Sequence, residues 1–308
     1  MAVVAIRRAL LVVNPAARRG AAARAGAEHA FARSGVACSV HETRGPGDAH
    51  DAALALGPGH DAVFSLGGDG TAMEVLRALA GSGQPVGILP GGTGNLVARA
   101  LGTPMRVPTA VHALLQGEVR AIDLGRLADG RVFAFAAGVG VDATMIARTR
   151  PASKRRFGVL AYVVSGVRAT LAFDRFPVEV IVDEKRHMFE AVSLMVANFG
   201  HVLHGLITLG PGVRADDGAL DVCVYAPRGV LDAVRVGWRL VRGDFRPDAA
   251  MHFVRGQRVE IRVPAGRARQ ADGELLPEGP FRIEVVPRAA SVLVAARHRE
   301  RPERAAHA

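Results

Sequence analysis

Residues 62–99 read AVFSLGGDGTAMEVLRALAGSGQPVGILPGGTGNLVAR, and two glycine-rich turns in this stretch each follow a short apolar run. The runs at 62–66 and 85–89 predict buried strands, because they are too short for helices and are bounded by glycine and proline. The segments 71–79 and 95–101 have the apolar spacing of helices. The stretch therefore predicts strand, loop, helix, strand, loop, helix, the repeating unit of a doubly wound parallel sheet.

Both loops are suited to bind phosphate. In open α/β sheets ligands bind at the carboxyl ends of the strands, where loops carry backbone N–H groups toward a helix N-terminus. Glycines let the chain approach a phosphate closely, and Thr71 and Thr93 add hydroxyl donors. The glycines concerned are Gly67, Gly68 and Gly70 in the first loop and Gly91, Gly92 and Gly94 in the second.

Asp69 is the unusual residue of the first loop. A carboxylate inside an anion-binding turn is unfavourable unless it holds a metal, takes a proton or orients a ligand hydroxyl. The alternative is that both loops are ordinary tight turns and that Asp69 is a turn residue or a helix cap. Two such turns on adjacent units favour a ligand site, although neither GxxxxGK nor GxGxxG spacing is present.

Length and composition predict a globular protein of two domains. The chain has 308 residues, of which 49% are hydrophobic, enough for two substantial cores. The net charge of +10 favours contact with phosphates, anionic lipid surfaces or nucleic acid, although genomic base composition would also enrich arginine. Cys38 and Cys223 lie too far apart to indicate a zinc site or a disulfide framework, which fits a reducing cytosol. We predict neither a signal peptide nor a membrane span.

The remaining chain divides near residue 121. Before it, 9–13 and 38–43 predict two more parallel strands, and 21–34, 49–56 and 108–116 predict helices. After it, short strands separated by turns are typical of an antiparallel sandwich. These strands are predicted at 132–137, 176–183, 187–197, 220–225, 257–263, 281–286 and 291–294. We therefore predict a doubly wound α/β domain over 1–121, a β-sandwich over 122–296 and a disordered tail over 297–308.

Two helical segments interrupt the predicted sandwich, at 157–173 and 229–242. A basic cluster, Lys154, Arg155 and Arg156, precedes the first of them. Basic residues ahead of an apolar helix would anchor the protein at an anionic membrane or contact nucleotide phosphates. The alternative is a core helix with a solvated, charged beginning.

The motif SLGGDGT followed by ILPGGTGN resembles the diacylglycerol kinase catalytic-domain family, soluble lipid kinases that include bacterial diacylglycerol kinase-like, sphingosine and ceramide kinases. GGDG alone also resembles NAD kinases and phosphofructokinases, so the second loop distinguishes the lipid kinases. Two later motifs extend the resemblance over residues 11–294. GPGVRADDGALDV at 210–222 is similar to a PxAxxDDGxLDV element of the family, and QADGE at 270–274 is similar to its DGE element.

The resemblance implies ATP and Mg²⁺ as cofactors. The implied nucleotide contacts are Asn14, Thr43, Gly67, Gly68, Asp69, Gly70, Thr71, Glu74, Gly92, Thr93, Asn95 and Gly273. The implied ligands of a structural Mg²⁺ are the side chain of Asp217 and the carbonyls of Arg214 and Ala219, oxygen donors that suit a hard cation. Glu74 would hold Mg²⁺ through water or cap backbone N–H groups, unless it is simply solvated. Met73 and Leu96 depart from the family, which commonly has asparagine and aspartate at these positions.

The resemblance also implies the reaction. We expect an ATP-dependent lipid kinase that transfers the γ-phosphate to a lipid hydroxyl in a cleft between the domains, with Asp69, Asp272 or Glu274 as candidate catalytic acids. Asp69 holds the nucleotide and metal or is itself the base. The expected partner is a lipid at the membrane surface and not nucleic acid, so the enzyme would be cytoplasmic and peripherally membrane-associated. A homodimer is compatible with the resemblance.

Two other functions stay open from the sequence. One is a kinase of a soluble substrate that resembles NAD kinase, and the other is a non-catalytic lipid-binding protein on the same fold. The acceptor also stays open among diacylglycerol, a sphingoid base, ceramide and phosphatidylglycerol. All three acids, Asp69, Asp272 and Glu274, are present, which favours the catalytic interpretation over the lipid-binding one.

Overall fold

A computed structural model describes residues 5–140, 174–202 and 206–296. The basic cluster at 154–156, the apolar segment at 157–173 and the tail at 297–308 lie outside these residues. Predictions that concern them therefore stay predictions.

The N-terminal half is a parallel sheet with helices on both faces. Its strands are β1 (Arg8–Val13), β2 (Ala37–Glu42), β3 (Ala62–Gly67) and β4 (Pro85–Pro90). Its helices are α1 (Gly20–Arg33), α2 (Asp48–Leu56), α3 (Asp69–Ala78), α4 (Leu96–Ala100) and α5 (Val107–Leu115), with a 3₁₀ turn at Gly57–Gly59. The strands pair in the order β2-β1-β3-β4, all parallel.

The buried strands explain why the helices cover both faces. Leu11 of β1 lies in a core with Phe31 of α1, whereas Leu10 of the same strand lies in a core with Leu76 of α3. Alternate side chains point to opposite faces of a strand, so a strand that is apolar throughout must be covered twice. The predicted doubly wound domain is confirmed.

The C-terminal half contains most of the strands. They are β5 (Glu118–Leu127), β6 (Val132–Phe133), β7 (Ala136–Gly140), β8 (Phe176–Val182), β9 (Lys185–Ala191), β10 (Ser193–Ala197), β11 (His201–Val202), β12 (Ile207–Thr208), β13 (Leu220–Tyr225), β14 (Met251–Gly256), β15 (Arg258–Arg262), β16 (Arg269–Ala271), β17 (Glu274–Leu276) and β18 (Phe281–Val294). One helix, α6 (Val230–Arg242), follows β13.

These strands form the predicted antiparallel sandwich. Strands β14-β13-β10-β7-β16-β17 make one antiparallel sheet. Strands β8, β9, β15, β18 and β5 make the opposite layer. The core between the layers includes Phe176, Leu194, Val222 and Ile261, all essentially buried. The sandwich is therefore confirmed, and it is held by apolar side chains from strands that are distant in sequence.

The last strand joins the two halves. β18 pairs in parallel with β4 at Ser291 and Pro85, and it pairs antiparallel with β5 and β15. The sequence predicts two strands here, at 281–286 and 291–294. The structure has one strand with an irregular register between Val286 and Ala290, because the bulge keeps the chain in the sheet where the apolar pattern is interrupted.

Two other predicted strands are each divided in the structure. The strand predicted at 132–137 is broken because the N–H groups of Ala134 and Phe135 donate to the carboxylate of Asp272. The strand predicted at 187–197 changes layer at Val192, whose N–H donates to the carbonyl of Tyr225 at 2.9 Å. Both breaks depend on partners far along the chain.

Within the residues that the structure describes, no helix has the length and apolar character needed to cross a bilayer.

Candidate active site

Three loops meet at the carboxyl edge of the parallel sheet. The N–H of Asn14, after β1, donates to the carbonyl of Leu66 in β3 at 2.9 Å. The N–H of Arg19 donates to the carbonyl of Gly91 at 3.0 Å, and the N–H of Gly91 donates to the carbonyl of Gly67 at 2.8 Å. The loops after β1, β3 and β4 therefore form one hydrogen-bonded surface at the edge where such sheets bind ligands.

Close packing between the two glycine-rich loops explains most of their glycines. A Cβ on Gly92 would lie 2.5 Å from the Cα of Gly68, and one on Gly91 would lie 2.9 Å from the backbone nitrogen of Gly67. A Cβ on Gly67 would lie 2.5 Å from the hydroxyl of Thr71. These distances leave no room for a side chain, so the loops can meet only as glycine on glycine.

Gly70, Thr93 and Gly94 differ from the other residues of the two loops because they are exposed. A Cβ on Gly70 would meet nothing within 4 Å in the described part of the chain, so no packing contact there requires glycine at this position. Gly70 lies in the first turn of α3, where backbone N–H groups lack partners within the helix. Gly70, Thr93 and Gly94 are therefore the members of the loops that are available to a bound phosphate.

The Asp69 carboxylate points toward the second loop. Its Oδ1 accepts a hydrogen bond from the N–H of Val97 at 3.2 Å, and a Cβ on Gly94 would lie 2.8 Å from its Oδ2. Burial raises the pKa of Asp69, while the N–H groups at the start of α4, chiefly that of Val97, oppose that rise. Asp69 thus links α3 to α4, in the capping role that was one of the two alternatives from sequence, and its catalytic role stays a prediction.

Three polar residues hold the shape of the loops. Asn95 has a left-handed backbone with φ of 50°, and its side-chain amide bonds both the N–H and the carbonyl of Gly92 at 2.9 Å. The Nδ2 of Asn14 donates to the hydroxyl of buried Thr71 at 3.2 Å. The structure therefore brings all three next to the predicted nucleotide site, where they position the backbone.

Thr43 and Glu74 lie beside this surface. The N–H of Thr43 extends the pairing of β2 by donating to the carbonyl of Val13 at 2.8 Å. The Oε2 of Glu74 accepts from the N–H of Ala49 at 3.1 Å, in the first turn of α2. This is the N–H capping that the sequence offered as one interpretation of Glu74.

Asp272 is in the turn between β16 and β17, with a left-handed φ of 48°. Its Oδ2 accepts from the N–H of Ala134 at 2.8 Å, and its Oδ1 accepts from those of Phe135 and Ala136 at 2.8 and 3.1 Å. Burial raises its pKa to about 6 against the effect of these hydrogen bonds. A carboxyl group with a pKa of about 6 is mostly ionised at pH 7 and is more basic than an ordinary aspartate.

The same turn contacts the N-terminal half of the chain. Glu274 is exposed, and its Oε2 lies 3.7 Å from an Nη of Arg77, near the end of α3. The Nε of Arg77 also donates to the carbonyl of Val132 at 2.9 Å. Gly273 is exposed with φ of 85°. The turn thus lies alongside α3, the helix that begins with Asp69, at about two turns from its start.

The loop 214–219 contains the predicted metal ligands and is called the metal loop below. Asp217 is half-buried in it. Its Oδ2 pairs with Arg255 at 2.5 Å, whereas its Oδ1 is buried and has no hydrogen-bond partner among the residues that the structure describes. Nearby Asp221 has its pKa raised to about 6, chiefly by burial and further by the charge of Asp217. The Arg214 side chain pairs with Asp216 at 3.0 Å. Since a guanidinium has no acceptor atom, only the Arg214 carbonyl could bind a metal ion.

In the described part of the chain no group of three or more His, Cys, Asp or Glu residues could hold a metal ion. A cation at the metal loop would therefore depend on Asp217 together with backbone carbonyls. Ala219, the remaining predicted ligand, lies in the same turn and is half-buried. The unpartnered oxygen of Asp217 and the carbonyl donors fit a hard cation.

Sequence reasoning missed Asp123, which is 1% exposed in β5. Its Oδ2 accepts from the N–H of Gly218 in the metal loop, and its Oδ1 accepts from the N–H of Arg288 in the bulge of β18, both at 2.7 Å. Buried Asn198 donates to the carbonyls of Asp123 and Ala134 at 2.8 and 2.7 Å. An acid between Ile122 and Leu124, inside a short apolar segment of β5, was the signal that could have identified Asp123.

Comparison with known proteins gives consistent results. Residues 8–127 match the diacylglycerol kinase catalytic domain. Residues 136–294 match the YegS C-terminal domain, described as NAD kinase beta sandwich-like. A diacylglycerol kinase of Mycobacterium tuberculosis strain H37Rv is 31% identical over 94% of this chain and 95% of its own length. A "Probable lipid kinase YegS-like" of Pseudomonas fluorescens is 31% identical over 93% and 95%.

Solved structures share the fold. A diacylglycerol kinase structure from Bacillus anthracis str. Sterne superposes with a TM-score of 0.74 over 94% of this chain and 98% of that chain, at 22% identity. Another structure from the same strain gives a TM-score of 0.81 at 24% identity. At such identities the likeness concerns the fold alone.

Proposed function

The chain belongs to the diacylglycerol kinase catalytic-domain family, and on that premise we propose that it transfers the γ-phosphate of ATP to the hydroxyl group of a lipid. The family supports a kinase, and relatives named diacylglycerol kinase and YegS-like lipid kinase support a lipid acceptor. ATP as donor, the lipid class of the acceptor and Mg²⁺ are parts of the proposal.

The observation that carries the proposal is the hydrogen-bonded contact between the two glycine-rich loops. It leaves Gly70 and Thr93 exposed at the edge of the sheet, where a polyphosphate would meet backbone N–H groups. Arg18 and Arg19 are exposed in the adjoining loop, which is tied to Gly91. Their positive charge would favour the phosphates, and the rigid backbone would position them at no cost during the reaction.

Asp272 is the candidate that best fits a general base. With its pKa raised to about 6 by burial, it would be ionised at neutral pH yet basic enough to take a hydroxyl proton. Among the described residues its Oδ2 accepts only the N–H of Ala134, so a further lone pair on that oxygen would accept the proton of the lipid hydroxyl. Asp69 would hold the geometry of the loops, since its carboxylate is engaged by α4.

Mg²⁺ would fit the loop that contains Asp217. The buried, unpartnered Oδ1 of Asp217 and the carbonyls of Arg214 and Ala219 would hold it. When bound, the ion would supply positive charge that binds the turn together and compensates the buried acids. Asp123 would keep the turn in place through the N–H of Gly218.

A transfer assay with radiolabelled ATP and a panel of lipids in mixed micelles tests the proposal. We expect label in a lipid and none in NAD. The variant Asp272→Asn should lower transfer by about 10²- to 10⁴-fold, the usual effect of a general base, with ATP affinity unchanged. The variant Asp69→Asn should lower both transfer and ATP affinity, because it disturbs the loops.

Several results would contradict the proposal. Label in NAD and in no lipid would favour a kinase of a soluble substrate, and lipid binding without ATP turnover would favour a lipid-binding protein. Near-normal transfer by a folded Asp272→Asn variant would remove that residue from the base role.

Thermal unfolding tests the metal. Mg²⁺ should raise the melting temperature of the wild type, because a ligand that binds only the folded state stabilises it. The shift should be much smaller in Asp217→Asn. Asp216→Asn is the matched control, since Asp216 is the neighbouring acid and pairs with Arg214 at the surface. Equal Mg²⁺ shifts in all three proteins would exclude Asp217 as a ligand.

A further inference from the structure

The outward face of α6 is apolar and exposed. Leu231, Val234 and Trp238 are 88%, 65% and 56% exposed, and Val241 continues the stripe at 39%. These residues follow one another at intervals of three or four, so they lie on one face of the helix. Single exposed apolar residues are common on soluble proteins, but a continuous stripe of this kind marks an interaction surface.

The helix is held firmly by its other face. Val236 is buried and Leu240 packs against the same core. Arg235 pairs with Asp232 at 2.5 Å and also with Asp248, and Arg239 pairs with Asp248 as well. Since these ion pairs and apolar contacts fix the orientation of α6, the exposed stripe is a permanent feature of the surface.

The charges that border the stripe are positive. Arg228 and Arg242 are exposed, and in the described part of the chain neither guanidinium pairs with a carboxylate. The guanidinium of Arg242 lies 4.6 Å from the centre of the Trp238 ring. Apolar side chains with a tryptophan at the boundary and free arginines beside it are typical of helices that lie in the headgroup region of a bilayer.

The position of α6 also relates it to the candidate active site. The helix packs against β12, and β12 pairs with β11. β11 in turn contacts α4, the helix whose N–H groups hold Asp69. The strand pair β11–β12 thus connects α6 to α4 and the glycine-rich loops. A membrane at the outward face of α6 would lie on the other side of this helix from that strand pair.

We propose that the outward face of α6, formed by Leu231, Val234, Trp238 and Val241 and bordered by Arg228 and Arg242, docks the protein on the surface of anionic membranes. The choice of a bilayer as the partner of this face rests on the proposed lipid kinase function. It also rests on the positive charge of the arginines, which complements the negative charge of anionic lipids. The apolar side chains enter the interface, and the arginines contact lipid phosphates.

Trp238 gives a direct readout, because it is the only tryptophan in the sequence. The experiment mixes the full chain, without ATP, with vesicles of phosphatidylglycerol and phosphatidylcholine in equal amounts. Trp238 emission should shift to shorter wavelength and should be quenched by lipids brominated in the acyl chains. Both signals should weaken as salt rises and with vesicles of phosphatidylcholine alone.

Leu231→Glu tests the apolar contact and Arg228→Gln the charge. Leu231→Glu should lower vesicle partitioning at least tenfold, since it places a charge in the interface. Arg228→Gln should lower it about fivefold on anionic vesicles only. The matched control is Met188→Glu, which replaces a side chain of similar exposure, 65%, on β9. It should leave partitioning unchanged.

Activity assays separate this proposal from the proposed function. In Leu231→Glu, transfer to a long-chain lipid in vesicles should fall with partitioning, whereas transfer to a short-chain, water-soluble analogue should stay at the wild-type rate. If no lipid is phosphorylated but Trp238 still inserts, docking stands and the kinase proposal fails.

Two results would overturn the docking proposal. One is unchanged vesicle partitioning in Leu231→Glu. The other is a wild-type dimer, measured by sedimentation equilibrium, that becomes a monomer in Leu231→Glu without loss of partitioning, because the face would then bind a second copy of the chain.

Discussion

The loops on the two sides of the candidate active site are held in different ways. On the N-terminal side, the contacts of Gly67 with Gly91 and of Asp69 with Val97 join neighbouring strand–helix units. On the C-terminal side, Asp123 bonds Gly218 and Arg288 across 95 and 165 residues of sequence. The first arrangement depends mainly on glycines that let two loop backbones meet, with Asp69 as a side-chain link, and the second depends on one buried carboxylate, Asp123, that accepts from backbone N–H groups of two distant segments.

The largest effect should come from Asp123→Ala. Its loss would remove the charged acceptor of two N–H groups, those of Gly218 and Arg288, so the free energy of unfolding should fall by about 3–5 kcal/mol. Urea denaturation measures this change in the free energy of unfolding. Asp129→Ala is the control, because Asp129 pairs with Arg131 at the surface and should contribute less than about 1 kcal/mol. Similar losses in both variants would show that burial of Asp123 has no special role.

Gly92→Ala and Gly70→Ala should separate packing from ligand contact. The Cβ at position 92 meets backbone at 2.5 Å, so the loops must move apart and stability should fall by about 2–3 kcal/mol. Gly70 has open space around it and lies in α3, so alanine there should raise stability by up to about 1 kcal/mol.

ATP binding, measured by calorimetry, should weaken in both variants if Gly70 faces the nucleotide. Unchanged ATP affinity in a stable Gly70→Ala protein would remove that position from the phosphate site. The comparison with Gly92→Ala shows how much of any loss comes from displacement of the loops.

The smallest effect concerns pH. If Asp272 acts as an ionised base with a pKa of about 6, kcat/KM should fall below that pH, to about one-tenth at pH 5 (~1.4 kcal/mol). Asp221, on the same side of the site, also has a pKa near 6, so it is the necessary control. The variant Asp221→Asn should keep the fall of kcat/KM at low pH. If that fall disappears in Asp221→Asn, the group that titrates is Asp221, beside the metal loop, and is not Asp272.

Local patterns predicted much of the fold. Strands β3 and β4 were predicted within one residue of their observed ends, and α6 began one residue after its predicted start. Such elements are recognisable because apolar spacing and bounding glycine or proline are properties of neighbouring residues. The start of α3 was less accurate, since the sequence placed Asp69 in the loop and the structure places it in the first turn of the helix.

Contacts between distant residues escaped prediction. No glycine or proline interrupts residues 187–197, so the sequence offered no turn signal at Val192, where the chain changes layer. The interruption of the strand at Ala134 and Phe135 depends on Asp272, about 138 and 137 residues away. No spacing rule connects such residues, because their proximity results from the packing of the two layers.

By itself, the sequence determined the class of both domains, the family, and the two glycine-rich loops, because periodicity and motif order are contained in consecutive residues. Only the tertiary structure decided what the individual side chains do. In the structure Asp69 accepts a hydrogen bond from α4, and Glu74 accepts one at the start of α2. Asp123 links the metal loop to β18, and the apolar stripe of α6 is exposed. The physical reason is that a buried polar group must find a partner and an apolar face must find cover, and the availability of each depends on which distant segments fold against it.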